Sequence, residues 1–152
     1  MKLIIGGAFQ GKKTFAYTLC PEVSFIDGAK CAAEDLFSCG GIYHFHEYIR
    51  NRLREGMDCH KLGEELTEKN PSLVVVTNEL GCGVVPVDAF DREYRERTGR
   101  VCTVLAAASD EVYRVICGVG LRIKGGDSYG NHTDPSWKNS RQSAGSLRGA
   151  DG

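Results

Sequence analysis

Residues 2–14 read Lys2-Leu3-Ile4-Ile5-Gly6-Gly7-Ala8-Phe9-Gln10-Gly11-Lys12-Lys13-Thr14. The short apolar run of Leu3, Ile4 and Ile5 predicts a buried strand. It empties into Gly6, four further residues and then Gly11-Lys12, the spacing of a phosphate-binding loop. Glycine tolerates a positive φ, so successive backbone N–H groups can turn inward and cradle a phosphate. A helix pattern follows directly, which brings the positive end of a helix dipole to the same point. Lys12 then reaches the outer phosphates as a flexible point charge. The stretch predicts a nucleotide site built from Gly6, Gly7, Ala8, Phe9, Gln10, Gly11, Lys12, Lys13 and Thr14. The plainer alternative is a glycine-rich strand-to-helix turn without a ligand.

One position departs from the motif. The residue after the loop lysine is ordinarily Ser or Thr, whose hydroxyl ligates Mg²⁺, and here it is Lys13. Thr14 comes next, but one step along a helix is a rotation of roughly 100 degrees, so it does not stand in.

Working outward, the chain has 152 residues, about one domain. A net charge of −1 provides no basic field for nucleic acid or an anionic membrane. No apolar run approaches the ~18 residues of a membrane span. The N-terminal run is short and leads straight into the loop, unlike a signal peptide. Seven cysteines are scattered without a Cys-x-x-Cys pair, so they read as reduced thiols of a cytoplasmic protein.

After a first helix over 12–19, residues 23–26 predict a short strand ending at Asp27-Gly28. An acid at the carboxyl end of a buried strand suits a magnesium ion and its waters; a turn aspartate is the equal alternative. Ile42, Phe45, Ile49 and Leu53 recur at helical spacing and predict a helix that includes His44 and His46. Residues two apart on a helix diverge, so the two histidines are not read as a metal pair. Asp58 predicts the cap of a helix whose core side is Leu62 and Leu66.

The β-branched run Ser72-Leu73-Val74-Val75-Val76-Thr77 predicts a central parallel strand covered on both faces. Asn78-Glu79-Leu80-Gly81-Cys82-Gly83-Val84-Val85-Pro86 follows it, and a polar, glycine-rich loop at that end of a strand is where ligands bind in open α/β sheets. Glu79 is the candidate acid or base there. A long helix over 88–108 carries an apolar stripe of Phe90, Tyr94, Val101, Leu105 and Ala108. A strand over 111–117 turns through Gly118-Val119-Gly120 into a short last strand over 121–124. The pattern predicts a three-layer α/β domain with a mainly parallel sheet over residues 1–124. Residues 125–152, rich in Gly, Ser, Asn, Asp and basic side chains, read as a disordered tail.

The phosphate loop, the Asn78–Pro86 element, Thr98-Gly99-Arg100-Val101, the stretch from Leu105 to Val112 and Gly118-Val119-Gly120-Leu121-Arg122-Ile123-Lys124 together resemble the adenosylcobinamide kinase/adenosylcobinamide-phosphate guanylyltransferase family of cobalamin biosynthesis. The resemblance implies a P-loop NTPase domain of the RecA-like type that uses GTP or ATP with Mg²⁺. It implies phosphoryl transfer to the aminopropanol hydroxyl of cobinamide, a corrinoid, and then transfer of GMP through a guanylylated histidine. Lys12, Glu79 and Asp27 would serve the phosphoryl transfer, Asp27 also as metal ligand, and the family commonly forms homo-oligomers. The chain departs from the family in Lys13, in Cys102 where the family favours Asn, and in a shortened segment before the Asn78-Glu79 strand. With that segment shortened, and His44 and His46 assigned to a helix whose stripe starts at Ile42, covalent guanylylation is expected to be absent or much reduced. The alternatives are a nucleotide-binding relative without turnover and a P-loop kinase for another small alcohol.

Overall fold

A computed structural model describes residues 1–80 and 88–125. Strand β1 (Lys2–Gly6) is followed by helix α1 (Lys12–Leu19), then β2 (Phe25–Asp27), a 3₁₀ turn (Ala33–Phe37) and β3 (Gly41–Tyr43). Helices α2 (Phe45–Arg54) and α3 (Leu62–Lys69) precede β4 (Val74–Asn78), after which come α4 (Ala89–Ala108), β5 (Glu111–Ile116) and β6 (Val119–Lys124). One six-stranded sheet has the order β2-β3-β4-β1-β5-β6, parallel throughout except for β6, which runs antiparallel to β5.

Alternation along the strands divides the core in two. Leu3, Val75 and Val112 face Phe45, Ile49, Leu66 and Leu105 from α2, α3 and α4. Ile4, Val74, Val76, Tyr113 and Val115 face Ala16 of α1, with Phe15 packed alongside. That is the expected three-layer α/β architecture. Central parallel strands buried on both faces read as continuous aliphatic runs for this reason. Each fully buried Leu, Ile or Val contributes about 1.5–3 kcal/mol of transfer free energy.

Several expectations need correction. Ile42 belongs to β3 and not to a helix; its side chain is fully buried in the sheet, and α2 begins only at Phe45. Four apolar residues recurring at helical spacing thus hid a three-residue strand and a turn. Asp58 does not cap α3, whose N-cap is Lys61; its carboxylate accepts the His60 N–H at 2.9 Å instead. Ala108 ends α4 exposed, and the buried stripe runs through Thr98, Val101 and Leu105. Val119 opens β6, so the final hairpin turns on Cys117 (φ 50°) and Gly118 (φ 78°) alone. Two left-handed residues make the tight turn that matches strand twist. The segment over 29–40 is held across the sheet end by side chains: Asn70 donates to the carbonyls of Leu36 and Cys39, and Tyr48 to that of Ala33. Residues 81–86 of the expected loop over 78–86, and residues 126–152 of the expected tail over 125–152, lie outside the described residues.

Candidate functional site

The carboxyl ends of β1, β4, β3 and β2 open onto one cavity of about 480 Å³, floored by the loop between β1 and α1. Two of the loop glycines are required. A Cβ on Gly6 would stand 2.6 Å from the Val115 carbonyl, and Gly11 sits at φ +82° against Gly118. Gly11 is also the N-cap of α1, which has no side-chain cap and no acid in its first turn. The helix therefore presents open N–H groups to an anion. Lys12 is buried and its Nζ donates to the Gly7 carbonyl at 2.6 Å. Burial lowers its pKa, offset by the charge of Glu79. Gln10 clamps the loop to the β5–β6 turn. Its Oε1 accepts the Cys117 N–H at 2.6 Å and its carbonyl the Gly118 N–H at 2.7 Å. Phe9, fully exposed at the loop tip, holds φ 60°.

From β2 and β3 the cavity receives an acid and an imidazole. Asp27 Oδ1 accepts the Ala29 N–H at 2.9 Å and contacts His44 Nδ1 at 3.1 Å. Burial raises the Asp27 pKa, but these two donors outweigh it and hold the carboxyl below its usual value. His44 is the N-cap of α2 at φ 55°, a left-handed position that turns the chain from β3 into the helix and lets His44 line the cavity. His46, in the first turn, is buried, and its Nδ1 accepts the Asn78 N–H at 3.2 Å. Burial, with the charges of His44 and Lys12, pushes its pKa down to about 4. It is a neutral ring with a structural bond, whereas His44 is exposed beside a carboxylate.

Of the residues singled out in the sequence, the cavity collects Ala8, Phe9, Gln10, Gly11, Lys12, Lys13 and Asp27. Thr14 is exposed and does not line it. Glu79 does not line it either. Both of its carboxylate oxygens are held by Arg114, at 3.0 and 3.2 Å, on the wall of a second cavity with Thr98 and Cys102. Its backbone N–H instead ties β4 to β1 through the Gly6 carbonyl at 2.8 Å. The Gln10 clamp and the Asp27–His44 pair escaped the sequence reading. The clamp spans 107 positions and leaves no local pattern.

A magnesium ion bound by the protein does not fit this donor set. An ammonium stands where the hydroxyl belongs; of the two carboxylates lining the cavity, Asp27 serves two donors through Oδ1 and Glu47 lies 3.7 Å from His46 Nε2. Among the described residues no three His, Cys, Asp or Glu side chains are grouped to hold a metal.

Residues 36–123, which make up more than half of the chain, match the family described as cobinamide kinase / cobinamide phosphate guanyltransferase. The chain belongs to this family. Two curated relatives carry the description bifunctional adenosylcobalamin biosynthesis protein. The one from Salmonella typhimurium is 50% identical over 52 residues, and the one from Escherichia coli K12 is 48% identical over 52 residues. Each alignment spans 34% of this chain and 29% of the relative. The family match begins beyond the phosphate loop, so within this cobinamide kinase / guanyltransferase relative the loop is recognised by its own spacing and geometry. Among the described residues no helix is long and apolar enough to cross a membrane.

Proposed function

We propose that this chain is a nucleoside-triphosphate-dependent kinase of the cobinamide type, acting in cobalamin biosynthesis on a corrinoid alcohol. The observation that carries the reading is the meeting of Lys12 and the Gly6–Gly11 loop with the Asp27–His44 pair in one cavity. GTP or ATP is the donor. Its phosphates lie on the loop N–H groups, and Lys12 exchanges the Gly7 carbonyl for an outer phosphate oxygen. Phosphoryl transfer asks chiefly for positioning and charge neutralisation. Asp27, kept ionised by its donors, accepts the hydroxyl proton of the corrinoid. Glu79 holds Arg114 and balances Lys12 from the far side of β1. Phe9 offers a flat apolar face at the cavity rim to a large ring system. Magnesium enters as the counter-ion of the nucleotide, not as a ligand of position 13. The setting is the cytoplasm, without nucleic-acid or membrane partners, and the assembly a homo-oligomer.

A specific observation also favours guanylyl transfer. Donating Nδ1–H to Asp27 leaves the His44 Nε2 lone pair free as a nucleophile toward an α-phosphate. The expectation against guanylylation placed both histidines on a helix whose stripe includes Ile42; α2 begins at Phe45, so only His46 lies on it, and His44, its N-cap, lines the cavity.

The deciding assay incubates purified chain and Lys12→Ala with cobinamide and each γ-labelled triphosphate. Labelled cobinamide phosphate from the wild type alone supports the kinase. No transfer with either nucleotide would leave a binding protein without turnover.

A further inference from the structure

A phosphate-binding loop ordinarily gives its metal a hydroxyl directly after the loop lysine, and an aspartate from a nearby strand completes the protein's share. In this chain both places hold something else. Position 13 is lysine, and its Nζ lies 4.0 Å from the centroid of the Tyr43 ring and 6.0 Å from that of Tyr17. Tyr43 is the last residue of β3. The contact therefore draws the ammonium off α1 and toward the strand ends, along the wall of the cavity that contains Lys12.

An aromatic face attracts a cation without neutralising it, because a ring has a quadrupole and no net charge. A carboxylate in the same place would have cancelled the charge that a phosphate needs. Among the described residues no carboxylate pairs with Lys13. Two carboxylates line the cavity, and both face other partners: Asp27, at the end of β2, shares its Oδ1 between Ala29 and His44, and Glu47 of α2 lies 3.7 Å from His46 Nε2. The phosphate site thus holds two ammonium groups, one buried and one pinned to a ring.

We propose that Lys13, held over Tyr43, is a built-in cation that supplies the positive charge a hydroxyl-held magnesium ion brings to a triphosphate. The chain then binds nucleoside triphosphate with little need of the metal. This rests on the nucleotide reading above and names the counter-charge of that site. An ammonium neutralises phosphate oxygens as a compact point charge, but it cannot impose the octahedral shell that magnesium demands. Its position is set by protein packing and not by the nucleotide's own chelate.

The test is calorimetric titration of the full chain with GTP and with ATP, in magnesium and in EDTA, alongside Lys13→Thr and Lys13→Arg. Lys13 is exposed, so neither replacement disturbs the core; thermal melts verify this. The wild-type affinity is expected to differ by less than about threefold between the two buffers. Lys13→Thr restores the hydroxyl and removes the ammonium, so it should lose about tenfold or more in EDTA and recover with magnesium. Lys13→Arg keeps both charge and ring contact and should bind in EDTA like the wild type. A wild-type loss of about tenfold in EDTA overturns the proposal, as does Lys13→Thr binding unchanged there. Absence of triphosphate binding in both buffers would instead overturn the nucleotide reading on which it stands.

Discussion

Asp27 and His44 meet at 3.1 Å although they lie 17 positions apart, because Asp27 ends β2 and His44 directly follows its parallel neighbour β3. Gly28 N–H donates to the Tyr43 carbonyl at 2.8 Å just beside them, so the backbone itself sets their spacing. Asp27→Asn retains the shape and removes the charge. Phosphoryl transfer to cobinamide should fall about a hundredfold, with nucleotide affinity changed little. A normal kcat in steady-state assays would remove Asp27 from the chemistry.

The free Nε2 of His44 makes a covalent GMP adduct the expected outcome with α-labelled GTP. Intact mass measurement before and after acid should show an acid-labile adduct. It should vanish in His44→Asn, which tolerates the left-handed backbone at that position. It should persist in His60→Gln, since His60 packs against Asp58 and Arg97 away from the cavity. An adduct that survives His44→Asn would assign the nucleophile elsewhere.

His46 makes stability depend on pH. Its folded pKa of about 4 lies below the ordinary 6.5, so between these values the unfolded chain binds the extra proton. Stability is therefore full above about pH 6.5 and falls as pH drops toward about 4, by about 3 kcal/mol across the window. Urea melts at stepped pH should show this slope in the wild type and a flatter one in His46→Gln. Equal slopes would mean that other groups govern the acid limb.

Gln10→Ala removes the side-chain bond to the Cys117 N–H and leaves the backbone bond to Gly118 in place. One such bond is worth about 1 kcal/mol, so the melting temperature should fall by a few degrees and triphosphate affinity should weaken, by up to about fivefold, as the loop loses its fixed shape. Affinity equal to wild type would show that the loop holds its shape unaided.

The legible parts of this chain were those with local causes. Leu3, Ile4 and Ile5 and the run from Leu73 to Val76 read as strands because both of their faces are buried. Gly6 and Gly11 read as a tight strand-to-helix loop because a close backbone approach and a left-handed φ demand glycine there. What escaped depended on distance or brevity. β3 has only three residues and flows at once into α2, so Ile42 fell into the helix's own periodicity. Glu79 stood in a polar loop at a strand end, yet Arg114 from β5 draws its carboxylate to the other side of β1. No spacing rule reports a partner 35 residues away.

The pairing of Gln10 with Cys117 has a consequence for the order of assembly. β1 lies between β4 and β5, taking Val74 and Glu111 as neighbours of Lys2, so the strand that launches the phosphate loop finds no partner until most of the domain exists. Contacts of such long sequence separation carry a large loop-closure cost and form slowly. A chain emerging from the ribosome therefore holds its loop sequence early and its loop structure late. On the nucleotide reading proposed above, capture becomes possible only once the final hairpin has closed against Gln10, which would make triphosphate binding a report on completed folding.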